Sequence, residues 1–141
     1  GISILAGSIL MAGAPDEVIV AARDTAMNPA VLDAFALAIC GASEQPAYPG
    51  VPGHAPDVDL ARRQAIAIGH AMDELRKVAP EAGSYLAESN YFEPNWQRAF
   101  WGSNHARLAS VKARFDPDGL FFVHHGVGSE PWSDDGFARV G

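Results

Sequence analysis

His124 and His125 stand side by side near the end of the chain, and His54, His70 and His105 are scattered before them. Neighbouring imidazoles invite a metal ion. On an extended strand, however, adjacent side chains point to opposite faces, so both cannot grip one ion. None of the other histidines has a second histidine one turn away, and no metal site is expected. "GVGS" at Gly126–Ser129 has the outline of a phosphate loop. It lacks a third glycine, a Lys-Ser/Thr ending and a following helix, and reads as a tight turn. Ser129 lies in "GVGSE", not in a Gly-x-Ser-x-Gly elbow, so a hydrolase lacks its nucleophile. Cys40 is the single cysteine, which rules out an intrachain disulfide. With no His base suggested nearby, it reads as a small buried hydrophobe ending an apolar run.

The densest chemistry lies in "NWQRAFWGSNHARL", Asn95–Leu108, with two tryptophans, a phenylalanine, two arginines and two asparagines. Such a stretch is costly to leave in water and awkward to bury. Ser103 is placed to cap a helix over Asn104–Phe115, with Leu108, Val111 and Phe115 as its apolar face. Asn104 and Arg107 fall one turn apart and can face the same side. Asp116-Pro117 ends that helix and Asp118-Gly119 makes the turn after it.

The elements around this stretch follow from periodicity and breakers. Ile2–Met11 is a buried strand or a short buried helix, and periodicity does not separate the two. Asp16–Thr25 reads as a helix opened by Pro15, with Asp16 and Glu17 favourable in its first turn. Pro29 pushes Asn28 out of the helical region. "VLDAFALAI" alternates like a strand but is rich enough in alanine for a helix. A loop with four prolines and three glycines follows, over residues 40–56. Asp57–Ala79 carries Ala61, Ala65, Ile68, Met72, Leu75 and Ala79 at helical spacing, with Asp57 or Asp59 as cap and Pro80 as stop. "GSYLAES" and "LFFVHH" read as short strands, and the tail after them is irregular and acidic.

A chain of 141 residues is long enough for one domain or part of a larger one, and it can bury a core without staples. Its net charge of −7, with no basic cluster, argues against binding nucleic acid or an anionic membrane. The apolar opening "GISILAGSILMAGAP" is too short to span a bilayer. It lacks the Met and basic lead-in of a signal peptide, and reads as buried structure in a chain that begins partway through a longer protein.

The stretch Ser84–Glu130 resembles the C-terminal segment of FAD-linked oxidases of the berberine-bridge-enzyme-like group, in the vanillyl-alcohol-oxidase flavoprotein superfamily. The residues that carry the resemblance are Tyr85, Trp96, Asn104, Arg107-Leu108, Lys112, Asp116-Pro117 and Phe121, in the family's order and spacing. "TAMNPAVLDAFALAI" resembles a substrate-domain strand of the same enzymes, so the likeness extends over most of Thr25–Glu130. Two positions depart from the pattern. The family's Tyr-x-Asn is Tyr85-Leu86-Ala87, so the amide is missing. The next position, often a tyrosine in the family's active site, is Glu88.

The resemblance implies an α+β fold: a small antiparallel sheet with helices packed on one face, an incomplete part of a larger substrate domain. Residues 1–83 would be part of that domain, and residues 84–141 the segment that caps the flavin. FAD would be bound mainly by an N-terminal domain absent from this chain, which becomes its partner. The substrate would be a small molecule, an alcohol, amine or similar C–H donor, with O2 as acceptor. Tyr85 and Asn104 would face the cofactor. Glu88 would act as the base, burial raising its pKa toward a useful range. With the covering domain gone, an apolar patch larger than a monomer's usual few hundred Å² is expected, with Trp96, Phe100 and Trp101 as the residues to check. The rival reading is a non-catalytic α+β module whose apolar surface binds a partner.

Overall fold

In the computed structural model, residues 14–140 are described in full and residues 2–7 as a backbone strand. The chain forms two compact units, Gly1–Ile9 with Phe35–Glu81, and Leu10–Ala34 with Ala82–Gly141. Residues 10–34 thus fall with the C-terminal part of the chain rather than with the rest of residues 1–83.

The first unit is built on strand β1 (Ile2–Gly7), which pairs antiparallel with β2 (Leu37–Ala42) in a register running from Ile2 opposite Ala42 to Gly7 opposite Leu37. The opening run is therefore extended over Ile2–Gly7; residues 8–11 lie outside the described part. "VLDAFALAI" divides, with Val31 and Leu32 closing a 3-10 turn (Pro29–Leu32) and Leu37–Ile39 entering β2. Helix α2 (Val58–Val78) packs on this pair. Its start is fixed by the Asp57 carboxylate, which accepts the Leu60 N–H at 2.8 Å. The half-buried side is Leu60, Gln64, Ala67, Ile68, Ala71, Met72 and Leu75. Ala61, Ala65 and Ala79, placed on the apolar face by spacing, are exposed.

The second unit holds α1 (Asp16–Arg23) and α3 (His105–Phe115). Between them lie a 3-10 turn at Leu86–Glu88, a π-helical turn at Gln97–Trp101 and a further 3-10 turn at Gly102–Asn104. The strands expected at 83–89 and 120–125 do not form. Around Tyr85 the chain tightens instead, and the Glu88 N–H donates to the Tyr85 carbonyl at 3.2 Å. At 120–125 two side chains take the backbone groups a ladder would need. Asp116 accepts the N–H groups of Leu120 (2.8 Å) and Phe121 (3.0 Å), and Lys112 Nζ donates to the Phe121 carbonyl at 2.6 Å. Lys112 also pairs with Asp116, and that hydrogen bond holds the Asp116 carboxyl below its ordinary pKa. Among the described residues, strand-type bridging outside β1 and β2 is limited to Trp132 and Arg139.

Ser103 does not cap α3. The 3-10 turn Gly102–Asn104 runs straight into the helix, and no side chain caps it. On α3 itself Leu108 is half-buried, while Val111 and Phe115 are exposed.

Candidate functional site

Tyr85 and Glu88 occupy the two ends of one 3-10 turn. Tyr85 keeps an extended backbone ahead of the turn, with ψ 107°, and the turn brings Glu88 back beside it, its N–H on the Tyr85 carbonyl, where a continuing strand would have carried it away. Both are open to solvent, and Tyr85 as a whole residue is 53% exposed. Glu88 is thus not buried within this chain, contrary to the expectation for a base with a raised pKa.

Asn104 sits at the base of α3, and both hydrogens of its amide are engaged. Nδ2 donates to the carbonyls of Thr25 (3.0 Å) and Met27 (2.7 Å). Arg107 reaches the same segment, bonding the Thr25 carbonyl at 2.9 Å and the Asp24 carboxylate at 3.2 Å. Asn28 answers from the other side. Its Nδ2 donates to the carbonyls of Ala99 (2.8 Å) and Arg98 (3.3 Å), and its Oδ1 accepts the Ala30 N–H at 3.0 Å. Glycine is required where Asn28 crosses: a Cβ on Gly83 or Gly102 would fall 2.6 Å or 2.5 Å from its amide, and Gly102 has a φ of +54°. This knot ties Asp24–Asn28 to the aromatic stretch seventy to eighty residues later. Replacing Asn104 with Ala leaves the Thr25 carbonyl to Arg107 alone and the exposed Met27 carbonyl to water, and is expected to cost about 0.5–1.5 kcal/mol. Asn104→Asp, which turns an oxygen toward both carbonyls, should cost at least as much. Urea denaturation checks both, and an unchanged midpoint in both would show that the knot does not stabilise the unit.

The aromatic stretch packs inward through Trp96 (8% exposed) and Phe100 (4%). Trp101 is half-buried, and its indole N–H finds no acceptor among the described residues. Two of the three residues expected to be uncovered are therefore core. Exposed apolar side chains lie elsewhere in the unit, among them Phe115, Leu120, Phe121 and Phe137.

What Trp96 packs against is a column of rings. Tyr91 stacks on His124 with centroids 3.9 Å apart, His124 on His125 at 3.9 Å, and His125 on Trp96 at 5.4 Å. His105 meets the edge of Trp96 at 5.6 Å. His125 has a φ of +55°, a left-handed conformation that a side chain rarely adopts. That kink brings both imidazoles into one column, which a strand would not have allowed. Burial holds the His125 pKa below its ordinary value, helped by His124 and opposed by Asp134 and Glu93. His124 Nε2 is 3.0 Å from the Tyr91 carbonyl. His105 Nε2 lies 3.0 Å from Glu130 Oε1 without hydrogen-bond geometry, an electrostatic contact that counts when His105 is charged.

A cavity of about 260 Å³ opens beside this column. Trp96, His124, His125, Glu130, Trp132 and Asp134 are among its lining residues. Sequence reasoning set the histidine pair aside on the assumption of a strand. The signal that could have found it is Gly126 immediately after, in a glycine-rich turn where positive φ is common.

Residues 84–128 match the family described as berberine and berberine like. The chain is 43% identical over 83 residues to the FAD-linked oxidoreductase notD' of Aspergillus versicolor, covering 59% of this chain and 13% of that protein. It is 38% identical over 82 residues to the VAO-type flavoprotein oxidase VAO615 of Thermothelomyces thermophilus, covering 58% of this chain and 14% of that protein. The crystal structure of the VAO-type flavoprotein MtVAO713 from Myceliophthora thermophila C1 superposes with a TM-score of 0.68 at 27% identity, over 94% of this chain and 22% of that one. The chain therefore spans a small part of the proteins it matches, and its fold is a partial domain of the larger VAO-type fold.

Proposed function

We propose that this chain, whose residues 84–128 belong to the berberine and berberine-like family, is the C-terminal part of an FAD-dependent oxidoreductase. Residues 1–83 are part of its substrate domain and residues 84–141 the segment that caps the flavin. The pairing of β1 with β2 is then a piece of a larger sheet. The reaction is oxidation of a small alcohol, amine or similar C–H donor, with O2 as acceptor. The observation that carries this reading is the family match over residues 84–128, joined to a VAO-type fold.

The residues present fit a flavin laid against the surface of the second unit. Tyr85 is open to solvent and stands at the head of the turn that ends in Glu88. Asn104 has spent both amide hydrogens on Thr25 and Met27, so its group for a cofactor is the acceptor Oδ1. FAD, when bound, supplies the hydride acceptor. Glu88 takes the proton from the substrate hydroxyl or ammonium as the C–H bond breaks. Arg107 and Asn28 hold the turn that Asn104 grips, so they position it.

Because FAD is assigned mainly to a separate domain, the 141-residue chain is expected to purify without yellow colour and to bind FAD weakly or not at all. Joined in one polypeptide to a flavin-binding domain of this family, it should carry flavin and oxidise substrate. Absorbance at the flavin bands tests both. Stoichiometric flavin in the 141-residue chain overturns the division of labour, and a colourless fused protein overturns the function.

A further inference from the structure

The cavity beside the ring column has walls that agree on one ligand chemistry. Two indoles (Trp96, Trp132), two imidazoles (His124, His125) and two carboxylates (Glu130, Asp134) line it, and no Lys or Arg does. In a chain of net charge −7, such a site repels anions. Among the described residues, no group of His, Cys, Asp and Glu is arranged to hold a metal ion. A wholly apolar ligand would desolvate the carboxylates without pairing them. We propose that this cavity binds a small organic cation, a protonated or quaternary amine, with its charge facing Glu130 and Asp134 and its C–H groups against the aromatic walls.

Three further observations agree. The unit already places a cation on one of these rings: the Arg139 guanidinium carbon lies 5.0 Å from the Trp132 centroid. At about 260 Å³ the space suits an amine of a few carbons and falls just below the roughly 300–1,000 Å³ of pockets for larger ligands. His125 resists protonation because it is buried beside His124, although Asp134 and Glu93 favour its charged form. His125 therefore offers little charge to compete with a cationic ligand, while Glu130 also faces His105 Nε2 at 3.0 Å. This inference needs neither a flavin nor any other domain, so it stands or falls apart from the oxidoreductase reading.

The test titrates the whole chain with choline and with 3,3-dimethylbutan-1-ol, a neutral molecule of nearly the same shape, at ionic strength fixed with NaCl. Tryptophan indole N–H and histidine ring resonances report binding. Choline is expected to bind about tenfold more tightly than the alcohol. In a Glu130→Gln, Asp134→Asn double variant that advantage should vanish. Both acids are at the surface, so the variant should keep its circular dichroism; if it does not fold, the two-ligand comparison on the parent chain decides. No binding of choline at millimolar concentration, equal binding of the two ligands, or an advantage that survives in a folded double variant each overturns the proposal.

Discussion

Glu88→Gln is expected to slow flavin reduction by substrate about 10²–10⁴-fold in the flavin-loaded oxidoreductase, with substrate binding little changed. Removing hydride from an alcohol carbon requires the hydroxyl proton to leave, and a positioned carboxylate takes it. Glutamine keeps the size and hydrogen bonding of Glu88 and loses only its basicity. The 3-10 turn at Leu86–Glu88 keeps Glu88 close to Tyr85 in space, since the Glu88 N–H bonds the Tyr85 carbonyl. The carboxylate is open to a reactant from outside the chain. Anaerobic rapid mixing, following flavin absorbance, measures the step directly. A Glu88→Gln enzyme that reduces flavin at the parent rate would place the base elsewhere. A rate that falls together with substrate affinity would make Glu88 a binding group and not the base.

The helices were legible because their signals are local. The limits of α2 lie within one residue of those expected, since the Asp57 cap and the Pro80 stop are written in the sequence. Of the strands expected at 83–89 and 120–125, the second failed for a reason that no window of sequence contains. Asp116 and Lys112 collect the backbone groups of Leu120 and Phe121, and a pattern of apolar residues cannot reveal that another side chain has claimed its N–H groups. Asn104 and Arg107 could be put on one side of a helix by spacing alone. That their target is the Asp24–Met27 turn depends on contacts across about eighty residues. Strand geometry puts His124 and His125 on opposite faces, and a single positive φ stacks them in one column instead. Tyr85 and Glu88 could be singled out only by resemblance, because no local chemistry marks them.

The second large effect concerns stability, and it follows from how little of the chain is deeply buried. Among the described residues, Trp96 and Phe100 are the buried hydrophobic side chains. Trp96 closes the column that runs through His125 and His124 to Tyr91, and it also receives the edge of His105. Phe100 lies 6.4 Å from His125, centroid to centroid, on the same π-helical turn that accepts hydrogen bonds from Asn28. Replacing either with Ala removes a large transfer free energy and leaves a cavity, at an expected cost of about 3–5 kcal/mol. Against a typical domain stability of roughly 5–15 kcal/mol, that loss brings the second unit close to unfolding. Phe137, 90% exposed, supplies the contrast: Phe137→Ala should change stability by no more than about 0.5 kcal/mol. Urea denaturation of the three variants, followed by circular dichroism, separates the cases. If Trp96→Ala and Phe100→Ala behave like Phe137→Ala, the ring column is not what holds the unit together, and the exposed apolar side chains of Phe115, Leu120 and Phe121 would have to contribute through association with another surface.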